Sequence, residues 1–209
     1  MDLDYLDNIK NTDNQLDFLK KRRSIINSYL KDEKYPKRFK PKGKEIILGS
    51  KPKYKNSYDF NSILNSFYSW SVIFVYIQGV QGFKKGLYFY NIDNNSLILV
   101  DNKVNDLQIS KSIQNQNWIS GGGFCLLIGS DWERYSWIYR HSRAYINLLI
   151  QIGEISEEFL IEAYGRNISG WMTPAVSETL SNKMCKVYNK NIDMLYFMKF
   201  GISKKNGKN

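Results

Sequence analysis

Cysteine and histidine are almost missing from this 209-residue chain, which has two cysteines, Cys125 and Cys185, and one histidine, His141. Two cysteines cannot build a disulfide framework, and one histidine cannot supply the pair that most zinc sites use. No Asp, Glu or Cys stands at ligand spacing around His141, so no metal site is expected. Cys125 falls in an apolar strand and Cys185 in a helical stretch, where cysteines are core residues and not nucleophiles. No nucleophile-elbow pattern is present for Ser/His/Asp catalysis. No apolar run is long enough to span a membrane. The N-terminus, Met1-Asp2-Leu3-Asp4, is acidic and lacks an apolar signal core. The expectation is a cytoplasmic protein with two reduced thiols. Gly121-Gly122-Gly123 lacks the Gly-Lys-Ser/Thr ending of a phosphate loop and precedes a strand. It is expected to be a flexible entry to that strand.

Hydrophobic residues make up 43% of the chain and aromatics 15%, which places it among folded proteins. Its length suits one domain with a real core. The net charge of +10 suggests nucleic acid until its distribution is followed. Residues 20–55 hold 14 Lys/Arg against 3 Asp/Glu, and the rest of the chain 16 against 17. The basicity is therefore one segment. Aromatics are not interleaved there as a base-stacking platform requires, so a basic nucleic-acid-binding module is the weakest functional reading. A solvated arm, or one that docks an acidic partner, fits better.

In chain order, residues 4–31 read as a helix and Tyr35-Pro36 ends the helical pattern. Residues 34–56 read as a basic extended segment around Ile46-Ile47-Leu48, expected on the surface or crossing to another subunit. A short helix is expected over 59–67. Val72–Ile77, Gly86–Tyr90 and Ser96–Val100, separated by tight turns, predict an antiparallel meander. Helices are expected over 104–117, 146–164 and 174–187, and strands over 124–129 and 194–200. Gly170-Trp171 reads as a loop and Ser203 to Asn209 as a basic tail. The stretch from Trp132 to Tyr145, a polar aromatic connector between strand and helix, holds His141, two tryptophans, three tyrosines and three arginines. It is the expected ligand wall.

Four segments resemble one family. Gln78-Gly79-Val80-Gln81-Gly82-Phe83-Lys84-Lys85-Gly86-Leu87-Tyr88-Phe89-Tyr90 is similar to the strand-turn-strand of SagB-type dehydrogenases, nitroreductase-like flavoproteins. Ser142-Arg143-Ala144-Tyr145, with Leu149 and Gly153, resembles a helix of that family. Tyr35 to Lys40 with Ile46-Ile47-Leu48 resembles its N-terminal arm, and Leu195 to Gly201 its last core strand. The resemblance implies an α+β fold with a central antiparallel sheet flanked by helices. It divides the chain into a helix and basic arm (1–56) and a flavoprotein domain (57–209). It further implies a homodimer, or a heterodimer with a related flavoprotein, with FMN at the interface. The implied activity is oxidation or reduction of a ribosomally made peptide, such as azoline to azole; from the missing apolar run no membrane partner is expected, and from the charge distribution nucleic acid is the least favoured partner.

The resemblance gives proton transfer to Tyr139 and binding of the FMN phosphate or a substrate carboxylate to Arg140 or Arg143. Several family features are changed. Ile138 stands where a lysine would precede Tyr139, one extra residue separates Tyr139 from Arg143, and Glu154 replaces a histidine after Gly153. The family's flavin-phosphate motif is missing between Leu48 and Val72. Arg22-Arg23-Ser24 mimics it, but upstream of the arm, and is a further candidate for the phosphate. These departures keep a second reading open: a non-catalytic paralogue that serves an active flavoprotein as partner subunit or peptide-docking scaffold.

Overall fold

The computed structural model describes residues 31–48 and 70–202. The helices expected over 4–31 and 59–67, the tail from Ser203, and the boundary at 56/57 lie outside the described residues, apart from Lys31. One seven-stranded antiparallel sheet organises the rest. Its strands are β1 (Glu45–Ile47), β2 (Ser71–Gly79), β3 (Gly86–Asn91), β4 (Ser96–Asp101), β5 (Gly123–Asp131), β6 (Ser169–Thr173) and β7 (Ile192–Gly201). They lie in the order β1-β4-β3-β2-β5-β7-β6. The helices are α1 (Asp106–Ser112), α2 (Trp132–Ile138), α3 (Ala144–Gly165) and α4 (Glu178–Met184), and a 3₁₀ turn spans Asn117–Ile119. None is long and apolar enough to cross a membrane.

Side chains alternate between the two faces of a strand, so each central strand feeds two cores. Phe74, Tyr76, Leu87, Phe89, Cys125, Leu127, Met194 and Phe197 pack on one face with Ile109 and Ile113 of the α1 segment and Cys185 and Val187 after α4. Ile73, Leu126, Ile128, Met198 and Phe200 pack on the other face with Tyr135 of α2 and Leu148, Ile152, Ile155 and Leu160 of α3. These are called the α1/α4 side and the α2/α3 side. Both cysteines are buried on the α1/α4 side. Desolvation pushes the Cys125 thiol up to about 12 and raises Cys185 as well, so neither is a thiolate nucleophile.

Two expectations differ from the structure and two are narrowed by it. Of the two places expected for the segment around Ile46 the structure shows the surface one, as an exposed edge strand: β1 pairs with β4 of its own sheet. Glu45 fastens it, accepting hydrogen bonds from Ser96, Asn91, Lys40 and Asn94 that hold its carboxyl down to about 2. Residues 169–173, expected as a loop, form the edge strand beside β7. The stretch after β5 is not all connector, since Asp131 accepts from the Arg134 backbone N–H and starts α2. Of the three glycines expected as a flexible entry, Gly121 and Gly122 have open space around them and Gly123 is built into β5. Gly123 sits at φ 98° against the Phe200 carbonyl, where a Cβ would collide.

Two of the expected helices are also shorter. The helix expected over 104–117 ends at Ser112, with Gln114 and Asn115 at positive φ. The helix expected over 174–187 covers only Glu178–Met184.

Candidate functional site

The wall predicted from sequence is a cluster of aromatic rings on α2 and the connector to α3. Tyr139, the proposed proton carrier, is the C-cap of α2 and is half-buried. Its ring lies 4.7 Å from that of Tyr135 and 6.4 Å from that of His141. Trp132 stacks on Tyr145 at 5.7 Å, bridging the first turns of α2 and α3. The Trp132 indole N–H donates to Asp193 of β7, which also accepts from Asn182. The wall is thereby anchored to the sheet. Tyr135 is fully buried, edge-on to Trp70 at 5.5 Å. Burial, with Tyr139 alongside, raises the pKa of its hydroxyl.

The structure brings Tyr139 and His141 together but does not gather the predicted cationic residues around them. Arg140 is exposed; its Nε donates to the Trp137 carbonyl at 3.1 Å and its guanidinium lies 5.0 Å from the Trp137 ring. Arg143 is exposed at the N-cap of α3 and makes no side-chain cap. Arg22, Arg23 and Ser24 lie outside the described residues.

Two arginines not singled out from sequence are the better covered ones, Arg134 buried and Arg38 half-buried. Arg134 packs over the Tyr35 ring at 4.3 Å and donates to the Pro36 carbonyl. Arg38 pairs with Asp93 at 3.5 Å; burial lowers its pKa, opposed by Asp93. Tyr35 in turn meets the edge of Trp137 at 6.5 Å. Together these contacts strap residues 35–38 across α2. The signal in the sequence was an arginine beside aromatics in both segments, Tyr35-Pro36-Lys37-Arg38-Phe39 and Glu133-Arg134-Tyr135.

Three buried polar atoms of this region have no hydrogen-bond partner: the Ser130 and Tyr135 hydroxyls and the Trp137 indole N–H. A fourth is the side-chain oxygen of Gln151 in α3. FMN, implied by the resemblance, needs converging donors for its phosphate. The described residues of one chain do not provide them. Arg38 and Arg134 are tied into the strap, and Arg140 and Arg143 stand apart on the surface. Among the described residues no cluster of His, Cys, Asp and Glu could hold a metal ion.

No family model matches the sequence. The trifolitoxin operon protein TfxC of Rhizobium leguminosarum bv. trifolii is 31% identical over 93 residues, which is 44% of this chain and 26% of that protein. A crystal structure of a nitroreductase-type protein from Anabaena variabilis superposes with a TM-score of 0.61 at 14% identity, over 80% of this chain and 41% of that one. A chain of the Escherichia coli microcin synthetase McbBCD complex, with truncated pro-MccB17 bound, gives a TM-score of 0.54 at 15% identity over 65% and 52%. A nitroreductase-type protein from Ralstonia eutropha gives 0.51 at 11% over 65% and 59%. The chain thus spans about a quarter of the curated relative and roughly half of each solved chain. What sheet order, helix placement and these superpositions establish together is an α+β, nitroreductase-like fold.

Proposed function

We propose that this chain acts in the maturation of a ribosomally made peptide, as one subunit of an FMN-dependent oxidoreductase assembly. The observation that carries this is the 93-residue similarity to the trifolitoxin operon protein. The fold shared with a chain of the microcin synthetase complex supports it. The flavin site is completed by a second subunit, either a copy of this chain or a related flavoprotein, because the described residues of one chain do not converge their guanidiniums. The outer face of α3 supports such an association. Tyr145, Ile146, Leu149 and Ile150 are all exposed there, and a contiguous apolar surface of this kind marks an interface. This chain contributes Tyr139, which handles the proton that leaves the peptide in dehydrogenation, and Arg143, whose free guanidinium binds the flavin phosphate or a substrate carboxylate.

The test begins with the visible absorption spectrum of the chain purified alone and again after adding FMN. The proposal expects flavin uptake only when the second subunit, or a dimer, is present. Within the assembled protein, Tyr139→Phe is expected to abolish turnover while flavin stays bound; unchanged turnover removes Tyr139 from the chemistry. A second reading, a non-catalytic paralogue that docks or scaffolds, draws on the exposed and separate Arg140 and Arg143. It predicts that Tyr139→Phe and Arg143→Ala leave turnover of the assembly intact, whereas Ile150→Asp abolishes it by preventing association.

A further inference from the structure

Helix α3 presents to solvent a face that is apolar and acidic at once. Ile146, Ile150, Gly153, Glu157, Ile161 and Tyr164 follow one another at spacings of three or four, which sets them in one row along the helix. All but Gly153 are exposed, and a Cβ added at Gly153 would meet nothing within 4 Å. The row is therefore apolar at both ends and notched near its middle. Acidic side chains stand in and beside it. α3 carries Glu154, Glu157, Glu158 and Glu162 and no lysine or arginine. Glu162 pairs with Arg166, one turn on. Among the described residues Glu154, Glu157 and Glu158 form no ion pair. Burial and the neighbouring Glu154 raise the pKa of Glu158, so the cluster gains from a cation brought to it.

Such a face selects its occupant by charge. Packing α3 of one copy against α3 of another would set four glutamates against four, with no cation between them. The complement is a helix that carries lysine or arginine on an apolar stripe, and this chain contains one in its sequence. Residues 16–31, read as helical from the sequence and outside the described residues apart from Lys31, hold five Lys/Arg against one Asp. Leu16, Leu19, Ile26 and Leu30 recur there at helical spacing. Arg23 falls between Leu19 and Ile26 on that stripe, and Lys20 one turn from Leu16. The segment also starts from the right place. Residues 31–34 are exposed, and the Asp32 carbonyl accepts from the Tyr35 backbone N–H at 2.9 Å, a turn that leads into the strap over α2. The chain before that turn therefore joins the body on the α2/α3 side, the side that α3 covers.

We infer that the outer face of α3 receives residues 16–31 of a second copy of this chain, and that the exchange is reciprocal. This rests on the reading above that a second subunit completes the site, and it names that subunit as a copy. A chain that covered its own α3 would remove the apolar surface on which association depends. Exchanged about a two-fold axis, the same contact closes both faces and sets the glutamates of each copy against cations of the other.

The experiment measures the mass of the full chain in solution by sedimentation, for the unaltered protein, two double variants and their mixture. One variant reverses the acidic face, Glu154→Lys with Glu157→Lys. The other reverses the segment, Lys20→Glu with Arg23→Glu. The unaltered chain is expected to dimerise. Each variant alone brings like charges together and is expected to weaken the dimer by about tenfold or more. An equimolar mixture of the two is expected to recover most of that loss, because each copy then meets the complementary charge of the other. An unaltered chain that stays monomeric overturns the inference. A dimer indifferent to both reversals overturns it as well, since the contact then lies on another surface. A mixture that pairs no better than its components rules out exchange, including the case in which each segment lies on its own α3. If the mixture fails while the chain takes up FMN together with a related flavoprotein, the inference falls and the functional reading stands. If the mixture pairs but neither flavin uptake nor peptide turnover follows, the functional reading falls alone.

Discussion

The two sides of the sheet differ in how completely their polar chemistry is closed. On the α1/α4 side the Tyr76 hydroxyl donates to Asp106 at 2.6 Å, and Lys85 reaches the same oxygen at 2.9 Å. Ser110, Ser112 and Ser181 all find carbonyl acceptors. Among the described residues, the buried polar atoms that lack a partner lie on the α2/α3 side, in Ser130, Tyr135, Trp137 and Gln151. Helix α3 on that side also leaves Tyr145, Ile146, Leu149, Ile150, Ile161 and Tyr164 exposed. An unmet buried donor or acceptor costs about 1–3 kcal/mol, and exposed apolar area is stabilising only once something covers it. Buried polar groups on the α1/α4 side are met within the described residues, whereas four on the α2/α3 side are not.

The largest difference should appear when one core residue is compared with one exposed residue. Phe197 is fully buried in the α1/α4 core. Phe197→Ala is expected to cost about 3–5 kcal/mol in denaturant unfolding, from lost burial plus the cavity left behind. Ile150 is 57% exposed, and Ile150→Ala is expected to change the unfolding of the isolated chain by no more than about 0.5 kcal/mol. Similar losses at both positions would mean that α3 is already covered in the isolated chain, and the contrast between the sides would disappear.

A smaller effect comes from the closed network. Burial alone would raise the Asp106 pKa, but hydrogen bonds from Tyr76, Lys85 and Gln78 outweigh it and hold the carboxyl below its usual range. A carboxyl depressed in the folded state stabilises the protein above its unfolded pKa, near 3.8, and that contribution is lost as pH falls through the folded value. The Lys85–Asp106 pair is exposed enough for solvent to screen it, so the main loss is the acceptor for the buried Tyr76 hydroxyl. Asp106→Ala is expected to cost about 1–3 kcal/mol at neutral pH and to flatten stability against pH below about pH 4. An unchanged acid slope would mean that the network contributes packing only.

The same division explains what could be read from the sequence. The three strands of the meander, β5, β7 and α3 all follow from local periodicity and tight turns, and each is present. β6 was missed because Ser169-Gly170-Trp171-Met172-Thr173 is short and carries a glycine, and its strand character comes from pairing with the distant β7. Gly170 is required there because a side chain would run into Leu160 and Phe200. α2 was hidden by its composition: Trp132, Tyr135, Trp137 and Ile138 are strand formers, and the Asp131 cap together with burial under the sheet overrides them. At the site, Tyr139 and His141 come together because the chain places them two residues apart. Arg38 and Arg134 meet only through the tertiary strap, which no spacing rule reports.

The finest test concerns Tyr135. Its ring is packed among Trp70, Trp132 and Tyr139, and its hydroxyl is buried with nothing to bond. Removing an unsatisfied hydroxyl while keeping the ring should relieve a desolvation cost. Tyr135→Phe is therefore expected to leave the isolated chain as stable as before, or more stable by up to about 1 kcal/mol. If the α2/α3 side is completed by a partner that satisfies this hydroxyl, the same substitution should weaken association or flavin uptake while stabilising the free chain. Opposite signs in the two measurements are what an unfinished face predicts. A loss of stability in the isolated chain would instead show that the hydroxyl already has a partner there, and that this side of the sheet is as closed as the other.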